Sequence, residues 1–199
     1  MLEQIKQVLI LTGSVAVVVC SQSFQDFWQE AIAPNLPGLP VTSSHPVSQQ
    51  NIPNAGDFDR AYQIIKEVEG GYSNHPNDGG GQTYRGITKV VAKRYGYDDP
   101  RQLSASKIRQ IYHKDYWVAS GADKQKWPLN LAIFNSYVNS GKKWKVPQSG
   151  TPQEKALAYL QQQTNYYQTI VSKRPSQRVF LRGWLNRSDR IKKAILDSR

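Results

Sequence analysis

Residues 69–88 read Glu69-Gly-Gly-Tyr72-Ser-Asn-His75-Pro-Asn-Asp78-Gly-Gly-Gly-Gln-Thr83-Tyr-Arg-Gly86-Ile-Thr88, and this stretch decides the fold. Two glycines stop the helix that precedes them. Pro76-Asn77-Asp78-Gly79-Gly80-Gly81 is then a strong loop signal between two short β-compatible runs, residues 71–74 and 82–87. Upstream, Asp57 caps the helical run FDRAYQIIKEVE, which Gly70 ends. Downstream every signal is helical. Thr88 caps KVVAKRY before Gly96, Ser104 opens ASKIRQIYHKDYW, and Pro128 sits at the first turn of LNLAIFNSYVNS, closed by Gly141. Thr151-Pro-Gln-Glu154 is a capping box ahead of a helix to about residue 172, and a last helical region begins over residues 179–185. The expected class is α+β and mainly helical, a helical body with one small β-hairpin directly after its first helix.

The first helix carries two glutamates whose surroundings differ. Glu69 lies four residues after Ile65 and seven after Tyr62, on the apolar face, whereas Glu67 follows Gln63 and Arg60 at the same spacings. Glu69 is therefore expected to point inward and Glu67 into water. A carboxyl withdrawn from water at the last turn of a helix, beside the negative end of its dipole, favours the protonated form that a general acid needs. The plainer reading of a glutamate at a helix end is a surface ion pair, here with Arg85 or Lys66. Other chemistries find little support. The glycine run lacks the Gly-Lys-Ser/Thr ending of a phosphate loop, Asn77-Asp78-Gly79 lacks the spaced acids of a calcium loop, and there is no Gly-x-Ser-x-Gly elbow. His45, His75 and His113 lie far apart and Cys20 is the single cysteine, so no metal or cofactor is expected and no internal disulfide can form.

The stretch from Glu69 to Thr88 strongly resembles the signature of glycoside hydrolase family 108, the N-acetylmuramidase-type lysozymes of the lysozyme-like superfamily. The resemblance continues in Tyr116-Trp117, in Leu131-Ala-Ile-Phe-Asn135-Ser-Tyr-Val-Asn139-Ser-Gly141 and in Phe180-Leu-Arg-Gly-Trp-Leu-Asn-Arg187, covering about residues 57–190. It implies a lysozyme-like helical body with Glu69 as the catalytic acid that protonates the glycosidic oxygen. It also places Asp78 and Thr83 where such enzymes often keep a second carboxylate and a hydroxyl on the hairpin facing the acid. A hairpin returning beside a helix end can hold a carboxylate across a cleft, and glycoside cleavage commonly uses two; as a turn residue Asp78 equally has a local reason to be there. The sequence departs from the family pattern at His75 and Asn135, where acidic residues are frequent. Asn135 and Asn139 share one helical face and are candidates to bond sugar hydroxyls or acetamido groups, or else local backbone. Tyr72, beside the acid, is the best-placed aromatic for stacking on a sugar, while Trp117 and Trp184 fit helical core patterns with Ile111, Tyr112 and Phe180.

Charge divides the 199 residues. Residues 1–56 hold one base against three acids, and residues 57–199 hold 25 bases against 12 acids, so the net +11 belongs entirely to the second part. Residues 8–20, VLILTGSVAVVVC, carry no charge, but as a helix they reach about 20 Å against a hydrocarbon core of about 30 Å. Residues 1–24 are expected to be a signal peptide or membrane anchor. Residues 25–56, uncharged after Glu30 and holding five of the eleven prolines, read as a linker, and residues 57–199 as the lysozyme-like hydrolase domain.

These features point to a peptidoglycan hydrolase cutting the β-1,4 bond between N-acetylmuramic acid and N-acetylglucosamine. The stem carboxylates of the polymer suit a basic domain. The alternatives are a lytic transglycosylase, which closes the sugar on its own 6-hydroxyl, and a non-catalytic wall-binding module. Nine bases against two acids over residues 171–199, among them Arg182, Arg187, Arg190, Lys192 and Lys193, also suit phosphates, yet no nucleic-acid reading motif is present. The expected partners are therefore peptidoglycan, with the membrane as a further partner through residues 1–24, and no specific nucleic acid. The domain is expected to act as a monomer that is secreted, periplasmic or membrane-anchored facing the wall.

Overall fold

Phe58, Ala61, Tyr62 and Ile65 recur at helical spacing and are all buried, and this stripe seats the first helix, α1 (Ala55–Val68), against the core. The computed structural model describes residues 55–69, the backbone of 72–73, and residues 82–198. The segments read as signal or anchor and as linker fall outside the described residues but for the last two linker positions, as do His75 and Asp78. Among the described residues no helix is long and apolar enough to cross a membrane. Asp57 lies within the first turn of α1, and its carboxylate accepts from Asn130 Nδ2 at 2.9 Å, tying the helix start to a neighbouring helix.

After α1 comes a three-stranded antiparallel sheet, β1 (Tyr72–Ser73), β2 (Thr83–Tyr84) and β3 (Ile87–Thr88), in the order β1-β2-β3. Tyr72 pairs with Tyr84, and Tyr84 with Ile87. The expected hairpin is present as β1 and β2, and a third strand is added to it because the second run folds back at Arg85-Gly86. Both residues have positive φ, 48° and 76°, the backbone of the tight two-residue turn whose twist matches the flanking strands.

The remainder is helical. Thr88 caps α2 (Lys89–Arg94), accepting from the Val91 amide at 3.3 Å, and Ser104 caps α3 (Ala105–Ile111), accepting from the Lys107 amide at 3.2 Å. The chain then widens into a π-helical segment, Tyr112–Val118, a winding often found beside functional sites. The central helix, α4 (Leu129–Ser140), is buried continuously over residues 129–137, as expected of a helix apolar on nearly all sides. It packs against α1, α5 (Pro152–Lys173) and α6 (Arg178–Leu196). Phe134 of α4 meets Trp117 and Phe58 edge-on, and Ile191 and Ile195 close the core from α6. A second cluster, Tyr167, Val171 and Trp184, joins α5 to α6.

The capping box of α5 is formed: Thr151 Oγ1 accepts from the Glu154 amide at 3.2 Å, while Glu154 Oε2 accepts from the Thr151 amide at 2.7 Å. Those bonds hold the Glu154 carboxyl below its usual range. Replacing Thr151 with Ala is expected to cost about 1 kcal/mol in denaturant unfolding, with the far-ultraviolet spectrum of the native state unchanged.

Candidate active site

Glu69 follows Ile65 by one helical repeat, and its amide donates to the Ile65 carbonyl at 2.9 Å, so the inward face of α1 runs on into this side chain. Its carboxyl keeps 18% exposure, while Glu67 is exposed on the opposite face. Oε1 accepts from Arg187 Nη1 of α6 at 2.6 Å, and the Arg187 side chain is only 10% exposed. Burial alone would lower the pKa of Arg187, but the adjacent Glu69 carboxylate raises it above its usual value, so the guanidinium stays charged.

The hairpin turn closes over the other carboxylate oxygen. A methyl group on Gly86 would lie 2.9 Å from Glu69 Oε2 and 2.1 Å from the Tyr112 hydroxyl, so both oxygens converge on the space that this glycine leaves empty. Tyr112, on the π-helical segment and 2% exposed, donates to the Arg85 carbonyl at 3.1 Å, which fastens the turn to the helical body. Burial, with the Glu69 charge second, pushes the Tyr112 hydroxyl well above its ordinary range, so it stays a neutral donor. Gly86→Ala combines a positive φ with a collision against two packed side chains. It is expected to destabilise the domain by about 1 kcal/mol or more, read as a shift in the midpoint of chemical unfolding.

Behind Arg187 the polar groups form a buried chain. Arg187 Nε donates to Asn135 Oδ1 at 2.9 Å, and Asn135 Nδ2 donates to Gln163 Oε1 at 2.9 Å. Gln163 Nε2 donates to the Tyr167 hydroxyl at 2.6 Å, and that hydroxyl donates to Asn139 Oδ1. Asn135 and Gln163 are wholly buried.

This arrangement revises several expectations. Asn135 does not face a sugar, because both its polar atoms are engaged inside the protein; its place is behind Arg187. Asn139 is half-buried and accepts from Tyr167. Thr83 is 2% exposed on β2 and its hydroxyl has no hydrogen-bond partner among the described residues, so it is withdrawn from solvent. Tyr72 is placed on β1 by its pairing with Tyr84. Trp117 and Trp184 are core, at 1% and 5% exposure. The partner of Glu69 is neither Arg85 nor Lys66 but Arg187, which leaves the exposed basic set of α6. Its signal was legible: Arg187 lies three residues after Trp184 and four before Ile191, on the buried stripe of the helix, where a cation requires an anion. Gln163 and Tyr167 carried no comparable signal. Among the described residues no group of three or more His, Cys, Asp or Glu side chains is placed to hold a metal.

Glu69 is thus held between a buried arginine and a glycine turn. The family model described as Glycosyl hydrolase 108 matches residues 62–141. The matched segment contains Glu69, the hairpin, Asn135 and Asn139. It is narrower than the reach of 57–190 read from the sequence and stops short of Arg187, so the acid and its cation come from opposite sides of its boundary. The solved structure of Brucella abortus SagA is similar in fold, with a TM-score of 0.55 at 21% identity, covering 71% of this chain and 94% of that one. The architecture is accordingly lysozyme-like, helical with a small antiparallel sheet after the first helix. No curated protein matches the sequence.

Proposed function

We propose that this domain hydrolyses peptidoglycan at the β-1,4 bond between N-acetylmuramic acid and N-acetylglucosamine, with Glu69 as the acid. The observation that carries the reading is a partly exposed carboxyl at the end of α1, fixed through one oxygen by a buried guanidinium inside a glycosidase-family segment. Bonding at Oε1 fixes the plane of the carboxyl, and no described residue donates to Oε2, which is left to carry the proton to the glycosidic oxygen. As the bond to the leaving sugar lengthens, positive charge develops on the ring and a second carboxylate or an activated water completes the substitution. We assign that second role to Asp78 in the hairpin loop and a stacking role to Tyr72. Arg178, Arg182, Arg190, Lys192 and Lys193 line the exposed side of α6 and suit the carboxylates of the stem peptides. The reading places the domain outside the cytoplasm facing the wall, tethered through residues 25–56 to an export or anchoring segment.

The test is incubation of the protein with purified sacculi, followed by sedimentation. Soluble fragments containing muramic acid are the expected result, and binding to the pellet without release marks a wall-binding module instead. A chain that starts at Asn54 is expected to fold and to release the same fragments, because it retains all of α1 with its buried stripe from Phe58 to Ile65. An unfolded product from that truncation would place residues 1–53 in the domain.

A further inference from the structure

The hydrogen bonds behind Glu69 all run in one direction. Arg187 gives to Asn135, Asn135 to Gln163, Gln163 to Tyr167, and Tyr167 to Asn139. Two of these groups are carboxamides, which offer a donor on one side and an acceptor on the other, so the orientation of each is dictated by its neighbour. Arginine has donors only, hence Asn135 must turn its oxygen toward Arg187. It does so while its nitrogen has an acceptor in Gln163, and Gln163 presents its oxygen there while its own nitrogen has an acceptor in the Tyr167 hydroxyl. That hydroxyl is available as an acceptor because its proton is taken by Asn139. All three middle members are at most 2% exposed, so water does not substitute for a lost partner.

We propose that Tyr167 is a positioning residue for the acid: through Gln163 and Asn135 its hydroxyl sets the orientation of Arg187 and so the placement of the Glu69 carboxyl. The proposal rests on the reading of Glu69 as the acid. Removing the hydroxyl takes away the acceptor for Gln163 Nε2. The Gln163 amide is then no longer fixed in one orientation, the Asn135 amide loses the acceptor that was held for its nitrogen, and the bond to Arg187 Nε loosens. Phenylalanine at this position keeps the ring and its stacking on Trp184, whose centroid lies 5.1 Å away. At the acid itself, Arg187 from α6 bonds Glu69 Oε1, and the Tyr112 hydroxyl from the π-helical segment converges with Glu69 Oε2 on Gly86. No second described carboxylate stands near Arg187 to hold it in place if the relay turns.

The experiment reads the Arg187 Nε–H resonance by proton–nitrogen NMR in the full chain, identified by its loss in Arg187→Lys, together with kcat and KM on sacculi. Tyr167→Phe is expected to raise solvent exchange of Nε–H about tenfold and to lower kcat by a similar factor with KM unchanged. In Asn135→Asp the side chain presents only acceptors, so Arg187 keeps a partner whichever way Gln163 turns. Adding Tyr167→Phe to Asn135→Asp is therefore expected to leave the resonance unmoved. Asn139→Ala, at a half-buried position that folds more safely, removes the acceptor for the Tyr167 proton and is expected to move the resonance in the same sense. An Nε–H signal unchanged by both Tyr167→Phe and Asn139→Ala overturns the proposal, as does an equal response to Tyr167→Phe in the Asn135→Asp background. The resonance needs no turnover. Its movement in a protein that leaves sacculi intact would support the relay and reject Glu69 as an acid acting on that polymer.

Discussion

Glu69→Gln is expected to lower the release of wall fragments by about 10²–10⁴-fold, the range associated with losing a general acid, while Glu67→Gln changes it less than about twofold. The two residues are separated by a single position, yet one continues the buried stripe of Phe58, Ala61, Tyr62 and Ile65, and the other is exposed. Glutamine retains an oxygen for Arg187 Nη1 and fits the space over Gly86, so the variant should fold, with a lower melting temperature because the buried guanidinium has lost its anion. Kinetics on sacculi and thermal unfolding of the same samples separate the two effects. Equal losses from both substitutions would remove the distinction between the two helical faces on which the assignment of the acid depends.

The second large effect is expected at Arg187. Arg187→Met retains much of the aliphatic volume but leaves the Glu69 carboxylate at 18% exposure without its partner, and leaves Asn135 Oδ1 without a donor. Breaking a largely buried ion pair from one side costs about 3–5 kcal/mol, measurable as a shift in the midpoint of chemical unfolding. Combining Arg187→Met with Glu69→Gln is expected to be less destabilising than Arg187→Met alone, since the double variant holds no uncompensated charge. A double variant that loses the full sum of both single effects would mean that the two groups do not interact across the core.

Much of this fold is written locally. The caps at Thr88, Ser104 and Thr151, the glycine after α4 and the apolar stripe of α1 are decisions made within a few residues, and each is legible because a short side chain or a spacing has one physical use. The turn at Arg85-Gly86 is hidden within a run of β-compatible residues, with Gly86 its one local mark. The site divides in the same way. Glu69 could be found from helical spacing and from the family pattern, since both concern one segment. Arg187 lies 118 positions away in α6, and only its place on a buried stripe announced that it needed an anion. The spacing of Asn135 and Asn139 suits a sugar or local backbone equally, but the neighbour of Asn135 is decided by how α4, α5 and α6 pack together, which no spacing within one helix reveals. Gln163 and Tyr167 were invisible for the same reason.

We propose that Glu69 drives hydrolysis at the muramic acid side of the glycan. Mass spectrometry of the fragments released from purified peptidoglycan in heavy-oxygen water tests it directly. Protonation of the leaving oxygen by Glu69 followed by attack of water must yield a reducing N-acetylmuramic acid end that carries the heavy oxygen. Fragments ending in anhydro-muramic acid without the label, or a labelled N-acetylglucosamine end, would contradict the account.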